Sequence, residues 1–439
     1  MYKLNEDFIL RFEFFGGLIH NTSNVDEYIL DEQTTILLYL LNNGVSYDLC
    51  IDELKRRGYN NVDIKPLIDN KVIVKSNNKS KYDLNKINEK IDFLLSRSKK
   101  INFLSSPNQV SLYLTSKCQL RCKFCYFKDK LCKYPESSIY NWLNVIRKLK
   151  KMGVLYISLL GGEPTLYNDI DLVLQELDKN KIISTITTNG IYMKNSTFDI
   201  IKNSKYITPT YSLQSLNGDI NSFLTGQNGD KTLNLIKKFR KYGKDIRINV
   251  VSTIQDFEDM KKMIDFCHSE GIKNLYYNIY MSFEKNNLYN KEFLEYRQID
   301  DIIKQYVLKN NYNVNVQVQG CLLYSAYYDK NININTEYEK IKFGCEAANT
   351  KIEIMPNGDI LPCAAFNSNI AIDNCFESNI EDIWFNSKLL NDIRNMNNND
   401  SNCQKCKFNS FCKGGCPAYR LHKHNNINME RDDRCKIIF

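Results

Sequence analysis

Cys118, Cys122 and Cys125 lie in one short stretch with the spacing C-x3-C-x2-C, and Tyr126 follows the last of them directly. Three thiolates held in one loop can ligate three corners of a [4Fe–4S] cube and leave the fourth iron open. An open iron is what a cluster needs when it must bind and reduce a small molecule instead of only passing electrons. A zinc loop is the competing use of such thiols, but zinc sites favour C-x2-C pairs that close a tetrahedron. Further on, Val154 to Leu160 (VLYISLL) is an almost wholly apolar run, as a strand buried on both faces requires. It ends in Gly161-Gly162-Glu163-Pro164. Glycines there let the backbone approach a ligand closely, and Glu163 offers a carboxylate to an ammonium group.

The C-terminal third carries a second set of thiols. Cys345-x12-Gly358-x4-Cys363 is followed by Cys403-x2-Cys406-x5-Cys412-x3-Cys416 and then Cys435. A disulfide framework conflicts with the first motif, because a reduced cluster requires a reducing compartment. A pair of zinc ribbons remains the alternative. Fifteen cysteines less three and seven leave five: Cys50, Cys132, Cys267, Cys321 and Cys375. Cys267 falls in an apolar helical stretch and reads as a core thiol. Cys50 and Cys132 have no role that the sequence assigns. The four histidines are too scattered for a histidine metal site.

These residues need a scaffold. From Gln109 to about Tyr280 strands and helices alternate, which is the signature of a parallel α/β sheet. QVSLYLT, VLYISLL, STITT, ITPTYSL, IRINVVS and NLYYNIY are the strands. Helices are expected where Ile139, Trp142, Leu143, Ile146 and Leu149 recur, and over Ile170 to Leu177, Thr232 to Phe239 and Phe257 to Glu270. The motifs fall at C-terminal strand ends, where parallel α/β structures gather their ligands.

Before this core, residues 1–74 read as a separate winged helix-turn-helix-like unit. Phe8 to His20 predicts a two-stranded hairpin around Gly16-Gly17. Helices follow over Asp31 to Asn42, Leu49 to Arg57 and Val62 to Asp69, then a strand over Lys71 to Val74. Residues 75–106 are a Lys/Asn/Ser-rich linker with an amphipathic helix near Ile87 to Leu95, expected to let the first domain move. The core then spans 107–320, and the second cysteine set 321–439. Net charge is +8 with both signs mixed along the chain, which weakly favours an acidic partner and says little about nucleic acid. No recognition helix with clustered Arg, Asn and Gln stands out in the first domain, so no nucleic acid is expected as partner, nor a membrane. No apolar run reaches the roughly 18 residues of a membrane span, and no signal peptide pattern opens the chain.

The cysteine loop and GGEP together resemble the radical S-adenosylmethionine enzymes, and the C-terminal cysteine order resembles the SPASM domain that follows many radical peptide maturases. The resemblance implies a partial (β/α)6 barrel, S-adenosylmethionine and three [4Fe–4S] clusters. Cys118, Cys122 and Cys125 would hold the catalytic cluster. Cys403, Cys406, Cys412 and Cys435 would hold the outer auxiliary cluster, and Cys345, Cys363 and Cys416 the inner one. The inner set is one ligand short, which leaves Cys321, Cys375 or a substrate thiolate. S-Adenosylmethionine would be met by Phe124 near its adenine, by Gly161, Gly162 and Glu163, and by Thr188 and Asn189 at the end of the third strand. Ser212 ends the fourth. There the family's SLDG-like motif is replaced by Ser212-Leu213-Gln214-Ser215, and its following arginine by Leu224-Thr225-Gly226. Arg247 or Asn249 would then take the carboxylate.

The same resemblance implies chemistry. A 5′-deoxyadenosyl radical removes a hydrogen from an unactivated carbon of a ribosomally made, cysteine-containing precursor peptide. The peptide would be bound through its leader by the N-terminal domain, by strand addition, and a ferredoxin or flavodoxin would supply electrons. Cys thioether (S–C) formation of the ranthipeptide or sactipeptide type is the leading expectation. The alternatives are a C–C or C–O crosslink, formylglycine formation as in sulfatase maturases, or an iron–sulfur DNA-binding regulator. GGEP argues against the regulator, which needs no methionine site. A cytoplasmic enzyme is expected.

Overall fold

The computed structural model describes every residue except 1, 24–25, 61, 77–80, 281, 284–286, 288, 290, 322–333, 335, 399, 429–430 and 436–439. It divides into two compact units: Met1–Asn108 with Lys151–Leu155, and Gln109–Lys150 with Tyr156–Phe439.

The first unit opens with strands β1 (Tyr2–Leu4), β2 (Phe8–Glu13), β3 (Gly16–Asn21) and β4 (Glu27–Leu30), and β5 (Ile73–Lys75) follows its helices. β1 pairs antiparallel with β5, and β2, β3 and β4 form an antiparallel sheet. The expected hairpin is present. Its third strand, β4, escaped the sequence reading because it buries no side chain, so no apolar alternation marks it. The helix Glu32–Asn42 starts where Asp31 accepts from the Thr34 amide at 2.7 Å, an N-cap bond worth about 1 kcal/mol. It sinks Ile36, Leu37, Leu40 and Leu41 into the core, each contributing ~1.5–3 kcal/mol. Helices Tyr47–Arg56 and Lys65–Asp69 complete the winged-helix order.

The stretch read as a linker carries the helix Leu84–Ser98, and its Ile87 and Ile91 belong to the hydrophobic core of this unit. A free amphipathic helix would leave those side chains in water. Arg57 also grips it, through Asp92 at 2.6 Å and Asn88 at 3.0 Å. A buried Arg11–Glu13 pair (2.8 Å) fastens the hairpin to the chain. Arg11 reaches Asn108 Oδ1 at 2.8 Å and Glu13 accepts from the Ser105 amide at 2.7 Å. Of the expected linker, 77–80 lie outside the described residues.

In the second unit, β6 (Gln109–Tyr113), β7 (Tyr156–Leu160), β8 (Ile183–Thr188), β9 (Ile207–Ser212), β10 (Arg247–Ser252), β11 (Asn274–Ile279) and β12 (Asn315–Gln319) run parallel in sequential order. The six expected strands are β6 to β11. β12 extends the sheet by one, and β13 (Lys351–Ile354) pairs parallel with β6 on the opposite edge, with β14 (Ile360–Leu361) antiparallel beyond it. Each crossover helix buries one face. Ile139–Met152 presents Trp142, Val145, Ile146 and Leu149 to the core, an i, i+3, i+4, i+7 stripe. Val145, not Leu143, completes that stripe. The other helices run over Ile170–Lys179, Asp230–Lys241 and Phe257–Ser269, close to their expected bounds. Because β13 sits against β6, the second cysteine set is built directly on the edge of the sheet that carries the first.

Candidate active site

The loop after β6 carries Cys118, Cys122 and Cys125, and backbone bonds shape it: Cys125 N–H to Cys122 O at 3.1 Å, and Lys123 N–H to Leu224 O at 2.9 Å. The Leu120 amide donates to the Cys118 sulfur at 3.4 Å. Burial raises the Cys122 thiol to about 12, and the nearby Cys125 and Cys118 add to the rise. Cys118 and Cys125 are raised first by burial as well. Thiols crowded in this way are poor anions without a metal and good ligands with one, since metal binding takes the place of the protons. Phe124 is buried beside them, and Tyr126 hydrogen-bonds Tyr113 at 3.1 Å.

GGEP lies against this loop. The Gly162 amide donates to Thr115 O and the Glu163 amide to Lys117 O, both at 2.8 Å. A Cβ on Gly161 would stand 2.4 Å from Thr115 O, and one on Gly162 would stand 2.2 Å from Lys117 O. The glycines are therefore demanded by the cluster loop itself, whereas the sequence reading assigned them to the approach of a ligand. Gly161 also has φ +149°, which favours glycine.

Glu163 is almost wholly buried and accepts four hydrogen bonds. Thr165 N–H (3.1 Å), Thr165 Oγ1 (2.8 Å) and Thr188 Oγ1 (2.8 Å) bind one carboxylate oxygen, and Asn189 N–H (2.8 Å) binds the other. Burial raises its pKa, against the lowering by those donors. The carboxylate thus pins the end of β7 to the end of β8, with acceptor capacity left only on Oε2. Asn189 in turn accepts from Gln119 of the cysteine loop at 3.0 Å. Ser212 ends β9 and accepts from Gln214 at 2.8 Å, while Gln214 accepts from the Val251 amide. Asn249 pairs in register with Ser212. Arg247 opens β10 at the far end of the strand, so of the two carboxylate candidates only Asn249 stands level with the site.

The C-terminal cysteines fall into two groups. Cys403, Cys406 and Cys412 are each raised first by burial, with Cys435 acting on all three. Asn398 also donates to the Cys403 sulfur at 3.2 Å. Cys345 is raised well above the ordinary range by burial, then by Cys416, Cys363 and Cys321. Cys363 likewise feels Cys416 and Cys321. Cys321 is exposed as a residue, yet its thiol is pushed up to about 12 by burial and then by Cys416 and Glu346. Its thiol thus lies within electrostatic reach of the inner three. Cys375 does not: its charged neighbours are Lys148, Asp359 and Asp373. Cys50 and Cys267 are core thiols, and Cys132 is exposed.

A family model for the radical SAM superfamily matches residues 112–267, and one for the SPASM iron–sulfur cluster-binding domain matches 345–407. Among curated proteins the chain is 22% identical over 358 residues to the antilisterial bacteriocin subtilosin biosynthesis protein AlbA of Bacillus subtilis, covering 77% of this chain and 74% of AlbA. Streptococcus suis SuiB bound to S-adenosylmethionine matches with TM-score 0.88. SuiB bound to its precursor peptide SuiA matches with TM-score 0.90. In both, identity is 32% over the whole of each chain. The chain belongs to the radical S-adenosylmethionine superfamily. It is a radical S-adenosylmethionine enzyme with a SPASM domain, and its cofactors are [4Fe–4S] clusters and S-adenosylmethionine.

The residues present fit those groups. The grouped thiols and their sulfur-directed N–H donors suit larger anionic clusters. One contact the sequence did not signal ties two radical-enzyme centres together. Lys130, buried just beyond the first cysteine loop, donates to Ala364 O at 2.7 Å and Phe366 O at 2.9 Å, immediately after Cys363. A single lysine within Lys128-Asp129-Lys130 carries no pattern that distinguishes it from its neighbours.

Proposed function

We propose that the chain is a maturase that oxidatively modifies a ribosomally synthesised, cysteine-containing precursor peptide, forming Cys thioether (S–C) crosslinks. The observation that carries this reading is the full-length likeness to SuiB, an enzyme crystallised with its precursor peptide, together with the three grouped thiol sets. AlbA, a bacteriocin biosynthesis protein, supports the same peptide chemistry at greater distance. When bound, the first cluster and S-adenosylmethionine supply a 5′-deoxyadenosyl radical able to take hydrogen from an unactivated carbon.

The protein's own residues bind and orient. Cys118, Cys122 and Cys125 would hold the catalytic cluster. Gly161, Gly162 and Glu163 fix the loop against which the methionine moiety lies, with Asn189, Ser212 and Phe124 as the remaining contacts and Asn249 beside Ser212. Cys403, Cys406, Cys412 and Cys435 hold the outer auxiliary cluster. Cys345, Cys363, Cys416 and Cys321 hold the inner one. The N-terminal unit captures the leader by strand addition, and β4 offers an edge with Tyr28 and Ile29 exposed. A ferredoxin or flavodoxin donates electrons. No helix among the described residues is long and apolar enough to cross a membrane, in keeping with the cytoplasmic setting we assign.

Cys321 bears on which bond forms. With four thiols at the inner cluster a substrate thiolate has no iron to bind, which favours a second reading: a C–C or C–O crosslink that needs no sulfur held on metal. The test is anaerobic turnover of the holoenzyme with candidate cysteine-containing precursors. We expect 5′-deoxyadenosine release and a product lighter by two hydrogens per crosslink. Tandem mass spectrometry then distinguishes a bridge through Cys from one between carbons. The Cys118→Ala/Cys122→Ala/Cys125→Ala variant should release none. Release by that variant would overturn the assignment.

A further inference from the structure

Arg420 lies on the helix Pro417–His424, directly behind the Cys403–Cys416 run. Its side chain is completely buried. Its Nη1 donates to Lys413 O at 3.0 Å, while Nε and Nη2 have no partner among the described residues. A buried guanidinium with orphaned donors is costly unless an anion meets it. Asp432 is the carboxylate that acts on it, but that group is already engaged. It accepts from Arg434 Nε at 2.8 Å and Nη2 at 2.6 Å, and from the Cys416 amide at 3.2 Å. The remaining groups acting on Arg420 are the thiols of Cys403, Cys412 and Cys416. The first two belong to the outer set and the last to the inner.

We propose that Arg420 is the redox-tuning residue of the auxiliary centres, donating its free N–H groups to sulfur of the outer cluster and placing a fixed positive charge between the two auxiliary clusters. This rests on the reading of those cysteines as cluster ligands. A cluster held by four thiolates is anionic and gains further negative charge on reduction. Hydrogen bonds to its sulfurs and a nearby cation stabilise the reduced form and raise the potential. Arg420 thereby makes the auxiliary pair a better acceptor for the electron that an oxidative crosslink releases. Arg434, by contrast, is paired with Asp432 and meets the inner set at Cys416.

The experiment uses full-length holoenzyme in a Cys118→Ala/Cys122→Ala/Cys125→Ala background, where only auxiliary clusters remain. Iron and sulfide are quantified, and EPR-monitored potentiometry compares Arg420 with Arg420→Lys and Arg420→Met. The expected result is at least a tenfold shift toward the oxidised form in Arg420→Met, about 59 mV for one electron. Arg420→Lys should fall between, keeping the charge without the fork of donors. Unchanged midpoints in an iron-replete Arg420→Met protein would overturn the proposal. Should Arg420→Met lose its clusters, the native enzyme decides. Pulsed EPR with guanidino-15N arginine should then show nitrogen and exchangeable-proton couplings to the outer cluster that persist in Arg434→Lys, and their absence would equally reject the role. A native protein with iron for only one cluster would instead refute the cysteine assignment on which the inference stands.

Discussion

The radical loop and the auxiliary centres hold the same kind of cluster with opposite materials. The first takes its three thiols from one short stretch after β6, and its precision comes from a neighbouring backbone packed so closely that only glycine fits at two positions. On the proposed ligand sets the auxiliary centres gather thiols from Cys321 to Cys435 and lie among buried and half-buried charge: Arg420, Lys130, and the Lys351–Glu353 pair at 3.0 Å. The difference teaches where each is vulnerable. The radical loop is sensitive to steric change beside it, and the auxiliary centres to loss of distant ligands.

The largest effect is expected at Gly162. Its Cβ would meet the Lys117 carbonyl carbon at 2.5 Å and the oxygen at 2.2 Å, and both are backbone, so the cysteine loop itself must shift. Displacement of a reacting group by about 1 Å costs on the order of 10²-fold in rate. Gly162→Ala should therefore lower 5′-deoxyadenosine formation by about that factor or more, while auxiliary iron stays in place. Wild-type rates in this variant would show that the loop is more compliant than its packing implies.

A smaller effect, confined to the other side of the comparison, is expected of Cys321→Ala. If Cys321 completes the inner set, the variant loses inner-cluster iron or shows the EPR signal of a three-iron cluster. Peptide crosslinking falls, while peptide-free S-adenosylmethionine cleavage continues. Full iron with normal crosslinking would reopen the inner site to a substrate thiolate and restore thioether formation by direct coordination.

What could be read from sequence follows the same division. The cysteine loop, GGEP and the strands carrying them were legible because each is local: adjacent residues in a fixed spacing or an apolar run. β4 and β12 were not, since β4 buries nothing and β12 is a short edge strand of mixed polarity. The linker helix was visible as amphipathic, but the core that receives Ile87 and Ile91 is assembled from distant segments. Cys321 stood among three open candidates because only folding brings it within electrostatic reach of Cys345 and Cys363. Glu163 was legible as a carboxylate at a strand end, yet its four donors lie just after β7 and at the end of β8, so its bracing role emerged only in three dimensions. Arg420 has no sequence signature, since an arginine on a short helix is ordinarily solvated.

The smallest effect separates ligand thiols from the rest and leaves catalysis intact. Cys50 is wholly buried in the first unit, and burial alone raises its thiol from 9.0 to about 12. The raised value means the fold favours the neutral thiol. That stabilisation is fully present below pH 9.0 and is lost as pH climbs through about 12. At pH 8 the thiolate fraction is then lower by about 10³ than for an ordinary cysteine, and alkylation proceeds through the thiolate. Cys132 is exposed. Anaerobic treatment of the holoenzyme with iodoacetamide at pH 8, followed by peptide mass mapping, should label Cys132 and leave Cys50 unmodified, with every cluster ligand protected by its iron. Labelling of Cys50 at a rate like that of Cys132 would mean that the first unit opens readily in solution. The helix Leu84–Ser98 would then be the first segment to examine by hydrogen exchange, because Ile87 and Ile91 share the core in which Cys50 lies.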